Sequence, residues 1–232
     1  MSGDFDPSRI QERHLYDGLE EAPCIGEKLL LRGPAGNIEA VTSYPSVMAK
    51  EFAIAVICHP HPLHEGSMAN KVVHVLSETF NGMGAPALRF NFRGVGRSDG
   101  EYAQGIGEVE DLMAVVRWFR ARHPGAPLWL SGFSFGAYVV MRAHSRLGPQ
   151  RLLLVAPPVS LFEFDSLPPV SVPWLIVQGG RDEIVKPLAV QEWVSRQPHP
   201  PLFRFMNDAD HFFHGRMNRL RRAVEQGWAR LG

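Results

Sequence analysis

The chain has 232 residues, 45% hydrophobic and 21% charged, and its 24 Lys plus Arg balance 24 Asp plus Glu. That size suits one globular domain with a sizeable core. The zero formal charge argues against the broad basic surface that binding nucleic acid or an anionic membrane requires.

Residues 1–24 show little periodicity and are expected to form a loosely ordered arm, with one domain over 25–232. The N-terminal stretch is polar and lacks an apolar signal core. No apolar run approaches the roughly 18 residues of a membrane helix, so a cytoplasmic protein is expected. Strands are predicted at 26–32, 37–44 and 52–58, the last (FAIAVIC) ending in Cys58. Cys58 and Cys24 make no disulfide framework, and Cys58 is expected as a buried free thiol. A helix is predicted over 68–81, a strand over 86–92, and a helix over 108–122, where Val109, Leu112, Met113, Val116 and Phe119 recur at near-helical spacing. The strand 127–133 then leads into a helix over 135–147, stopped by Gly148. Further strands are predicted at 151–156, 173–179 and 201–207. The helix at 187–196 opens on Pro187, a good first-turn residue. The helix at 216–231 places Met217, Leu220, Val224, Trp228 and Leu231 on one face.

The middle strands are apolar almost throughout, as expected of strands covered on both faces. Their alternation with helices predicts a three-layer α/β/α sandwich on a mostly parallel, eight-stranded sheet.

Residues 132–136 read Gly-Phe-Ser-Phe-Gly, between the strand PLWLSGF and the helix FGAYVVM. In that context G-x-S-x-G forms a sharp strand-to-helix turn that exposes its serine, here Ser134. The Phe135 N–H at the helix start would face a developing oxyanion. A serine needs a general base, and the base needs an orienting acid. Where this turn occurs, the acid and then the histidine follow along the chain. Asp182 follows the strand PWLIVQG, with Glu183 as its rival. His211 follows the strand PLFRFMN, with His214 as its rival. Open parallel sheets assemble their sites at those strand ends.

With HPHPLHEGSMANKVV (59–73), LRFNFRGVGRSDG (88–100), GFSFGA (132–137), GGRDEIV (179–185) and ADHFF (209–213), the chain resembles the α/β-hydrolase superfamily. It looks most like the small capless serine hydrolases of the dienelactone-hydrolase-like and serine-aminopeptidase-like groups. The resemblance implies hydrolysis of an ester, thioester or amide of a small-molecule acyl substrate. It implies an acyl-enzyme and no cofactor, with carboxylesterase chemistry foremost and neither nucleic acid nor membrane as partner. Oligomeric state is left open. Dienelactone hydrolases proper carry cysteine where Ser134 stands, and His59-Pro60 replaces the His-Gly of many relatives. The second oxyanion donor would come from this loop: Pro60 and Pro62 have no N–H, leaving His61, with Leu63 as alternative. Arg93 and Ser98 are expected as structural supports. The 16 residues between Ala156 and Pro173 leave no room for a lid, so a shallow pocket is expected, walled by Leu63, Leu161, Phe162, Phe164 and Phe212.

Two other readings compete. His59, His61 and His64 have the H-x-H-x-x-H spacing of metallohydrolases. Against a metal, Leu63 stands at the aspartate position of that run, and the prolines bias the residues before them toward extended backbone. A non-catalytic binding protein of this fold would be expected to lack a member of the Ser134, Asp182, His211 set.

Overall fold

The computed structural model describes residues 26–48 and 50–231; the expected arm and Cys24 lie outside them. Among the described residues eight strands form one sheet: β1 (Lys28–Gly33), β2 (Gly36–Ser43), β3 (Ile54–Cys58), β4 (Ala87–Phe90), β5 (Leu128–Phe133), β6 (Arg151–Val155), β7 (Trp174–Gly179) and β8 (Leu202–Met206). Their order across the sheet is β1-β2-β4-β3-β5-β6-β7-β8. Only β2 runs against the rest, pairing antiparallel with both β1 and β4, and every pair from β4 to β8 is parallel. Among the described residues the α-helices are α1 (Lys71–Gly82), α2 (Gly107–Arg122), α3 (Phe135–Leu147), α4 (Pro187–Ser195) and α5 (Met217–Trp228).

The central strands are apolar because both faces are covered. All five residues of β3 are buried. Side-chain alternation sends Ile54, Val56 and Cys58 into one core with Leu112 and Phe119 of α2 and Val139 of α3. It sends Ala55 and Ile57 into the other, with Leu76 and Phe80 of α1 and Leu220 and Val224 of α5. The result is the three-layer α/β/α sandwich expected from the sequence.

The differences from expectation lie at element ends. The helix predicted from 68 begins at Lys71, because Asn70 caps it: Asn70 Oδ1 accepts the Val72 N–H at 2.9 Å. The strand predicted to reach residue 92 ends at Phe90, because the chain there turns into a hydrogen-bonded loop. Within that loop Ser98 Oγ donates to the Asn91 carbonyl at 2.7 Å and accepts the Glu39 N–H at 2.9 Å. Arg93 grips the buried Asp111 through Nη2 at 2.8 Å and Nε at 2.9 Å. Residues 156–173 contain no helix or strand, so no lid is built there. Among the described residues no helix is long and apolar enough to cross a membrane.

Candidate active site

Because β3 and β5–β8 run parallel, the loops after β3, β5, β7 and β8 emerge on one edge of the sheet. Ser134 sits in the turn from β5 to α3 with φ 53° and ψ −120°, a left-handed conformation that a non-glycine residue holds only when its surroundings enforce it. They do so here. The Ser134 N–H donates to the Val155 carbonyl at 2.9 Å, and its own carbonyl accepts the Ala137 N–H at 2.8 Å. The flanking glycines are required by space. A Cβ on Gly132 would overlap the Gly136 carbonyl, and one on Gly136 would lie 2.6 Å from the Cys58 carbonyl carbon and 2.7 Å from the His59 carbonyl oxygen.

His211, just past β8, brings the rest together. Its Nδ1–H donates to Asp182 Oδ2 at 2.8 Å, and its Nε2 lies 3.1 Å from Ser134 Oγ, as an acceptor of the hydroxyl proton. All three side chains are buried. Asp182 Oδ1 accepts the N–H groups of Ile184 at 3.0 Å and Val185 at 2.7 Å, and Oδ2 also accepts Gln178 Nε2 at 3.0 Å. Four donors therefore hold this carboxylate in one orientation. The rivals are elsewhere: Glu183 is exposed, and His214 pairs with Asp210 at 2.8 Å with its side chain 73% exposed. Gln178 escaped the sequence reading. Its signal was a single polar residue in the otherwise apolar strand WLIVQG.

Phe135 and His61 each keep a backbone N–H that no described residue accepts, at the start of α3 and in the loop after β3. Leu63 does not: its N–H donates to His61 Nδ1 at 3.2 Å. The alternative donor is thus occupied, which corrects its reading as a candidate. Leu63 is 66% exposed and does not line the cavity formed by Leu161, Phe162 and Phe164. The His61 ring packs 4.9 Å from Phe135, tying the two loops together. Burial, and then the neighbouring His64, lower the pKa of His61. This favours the neutral ring that accepts the Leu63 N–H.

The histidine cluster is not arranged as metal ligands. His59 is fully buried, donates from Nδ1 to the Pro60 carbonyl at 2.6 Å, and accepts the Phe92 N–H on Nε2 at 3.0 Å. Both ring nitrogens are engaged. Among the described residues no three His, Cys, Asp or Glu side chains converge as a metal ion would need.

Burial lowers the His59 pKa from 6.5 to about 3, with His61 opposing protonation further and the Pro60 carbonyl favouring it. The unfolded chain therefore binds a proton at His59 in a window where the folded chain does not. The stability His59 contributes is complete above about pH 6.5 and is lost as pH falls toward about 3. His59→Gln should flatten the fall in unfolding free energy across that window by up to about 1.4 kcal/mol per pH unit. Parallel denaturant-derived curves for the two proteins would refute this account.

The pocket expected as one wall is split. Leu161, Phe162 and Phe164 line a cavity of about 630 Å³ with Tyr102 and Tyr138. Phe212 does not line it, and its ring lies 5.0 Å from that of His211 and 6.0 Å from that of Phe133. Ser134, Asp182 and His211 do not line the cavity.

Residues 51–164 match the family described as serine aminopeptidase, S33. An α/β serine hydrolase homologue from Coxiella burnetii is 44% identical, the alignment covering 86% of this chain and 96% of that one with a TM-score of 0.83. XC6422 from Xanthomonas campestris, an α/β serine hydrolase without lid, is 41% identical, with 90% and 96% covered and a TM-score of 0.86. The uncharacterized protein RP471 of Rickettsia prowazekii (strain Madrid E) is 36% identical over 207 residues, 85% of this chain and 86% of its own. The sheet order, the elbow at Ser134 and these relatives agree: the chain belongs to the α/β-hydrolase superfamily, among serine hydrolases without a lid.

Proposed function

We propose that this serine hydrolase is a carboxylesterase that cleaves a small acyl ester through a covalent acyl-enzyme. The observation that carries the reading is the single imidazole bridging Ser134 Oγ at 3.1 Å and Asp182 Oδ2 at 2.8 Å. Ser134 Oγ attacks the ester carbonyl carbon as His211 Nε2 takes the hydroxyl proton. The oxyanion accepts the N–H groups of Phe135 and His61, each such donor contributing about 3–4 kcal/mol in comparable sites. The tetrahedral intermediate collapses as His211 returns the proton to the departing alcohol. Water, deprotonated by the same nitrogen, then releases the acid and restores the serine. Asp182 holds the Nδ1–H tautomer throughout and stabilises the imidazolium. No step draws on a cofactor, nucleic acid or membrane.

The test joins turnover to covalent labelling. Short-chain p-nitrophenyl esters should be hydrolysed equally with and without a chelator. A fluorophosphonate should stop turnover and add its mass to the peptide holding Ser134. No hydrolysis of esters, thioesters or amides, together with no adduct, would overturn the reading.

A further inference from the structure

The cavity beside the site has a chemistry the hydrolytic steps do not use. At about 630 Å³ it falls within the range of small-molecule pockets. Four of its lining side chains are aromatic: Tyr102, Tyr138, Phe162 and Phe164. They form a connected set. Tyr138 stacks on Phe162 with ring centres 4.6 Å apart and planes at 27°, and Phe164 lies 5.5 Å from Tyr138. Arg142 Nη1 donates to the Tyr138 hydroxyl at 2.9 Å, which fixes that ring.

Two of these rings also touch both residues that carry the free backbone donors. Tyr102 lies 4.9 Å from the His61 ring and 5.7 Å from Phe135. Phe162 lies 6.2 Å and 5.5 Å from the same rings. These contacts put the cavity wall against the rings of His61 and Phe135, the two residues with free backbone donors. His211 is bordered instead by Phe133 and Phe212, and neither lines the cavity. In acyl transfer the leaving group must sit against the nitrogen that protonates it. The acyl group then extends the other way, toward Tyr102 and Phe162.

We infer that this cavity is the acyl pocket and that the preferred substrates carry an aromatic ring in their acyl half. Ring-on-ring contact in edge or offset geometry adds binding beyond that of a saturated group of equal size. The inference rests on the esterase reading and names its substrate class.

Three methyl esters with the same alcohol separate the possibilities: methyl 3-phenylpropanoate, methyl 3-cyclohexylpropanoate and methyl butanoate. The phenyl ester should exceed the cyclohexyl ester in kcat/KM by about five- to tenfold. In Phe162→Leu and in Tyr102→Leu that ratio should fall toward one. Because both esters are read on the same enzyme sample, a misfolded fraction in either variant cancels from the ratio. A wild-type ratio near one, or a ratio unchanged in both variants, would overturn the inference while methyl butanoate turnover and labelled Ser134 left the esterase reading intact. No turnover of any ester and no label would remove the esterase reading and the inference with it.

Discussion

Replacing His211 with alanine should lower kcat on a short-chain ester about a million-fold, while His214→Ala stays within about twofold of the wild type. The asymmetry follows from position. His211 Nε2 is the atom 3.1 Å from Ser134 Oγ, and its other nitrogen is fixed by a carboxylate that three further donors orient. His214 faces away, paired with Asp210. A serine hydroxyl unassisted by a base is a poor nucleophile, so loss of the imidazole removes the nucleophile as well. Ser134→Ala should therefore cost about as much, and the double variant little more than either alone, because the two groups act as one unit. Single-turnover and steady-state rates on all four proteins, with thermal unfolding as the control for folding, decide the matter. A folded His211→Ala protein with near-normal turnover would refute the base assignment. A double variant that lost the sum of both effects would refute the coupling.

Gly136→Ala should destabilise the protein by about 3 kcal/mol, and Gly82→Ala should not destabilise it at all. A Cβ at 136 would meet the carbonyls of Cys58 and His59, which are backbone atoms of the central strand and its exit loop. A flexible side chain could swing aside; these atoms can move only if β3 and α3 separate. In a chain of this size 3 kcal/mol corresponds to a fall in Tm of about 6–12 °C. The same separation would shift the Phe135 and His61 N–H groups relative to each other, so kcat should fall in whatever fraction remains folded. Gly82 ends α1, and a Cβ there meets nothing within 4 Å. Its replacement should be neutral or stabilising by up to about 1 kcal/mol, through the lower entropy of the unfolded chain. Equal melting temperatures for the two variants would refute this account of the elbow.

Much of this arrangement was legible before the structure because it is local. Hydrophobic runs of strand length, Gly148 after α3, and a serine between two glycines each report on a few neighbouring residues. The positions of Asp182 and His211 were readable because parallel strands deliver their following loops to one edge. What could not be read depends on long-range placement. The reversed direction of β2 follows from its pairing with β4, more than forty residues later. The choice between His61 and Leu63 turned on where the His61 ring folds back, since Leu63 spends its N–H there. Gln178 looked like the end of a strand, and its bond to Asp182 forms only when the loop after β7 folds back over it. Tyr102 and Tyr138 come from a loop and a helix, and their shared cavity with residues 159–165 leaves no trace in sequence spacing.

The 77 residues that separate Ser134 from His211 also set an order of events during synthesis. β3, β4, β5, α3 and β6 can assemble around the elbow while β7 and β8 are still untranslated. Until β8 docks on the outer edge of β7, Ser134 Oγ lacks the His211 imidazole that stands 3.1 Å from it in the folded chain. On the proposed mechanism, the growing chain would lack turnover of acyl compounds until β8 has docked and brought His211 to Ser134.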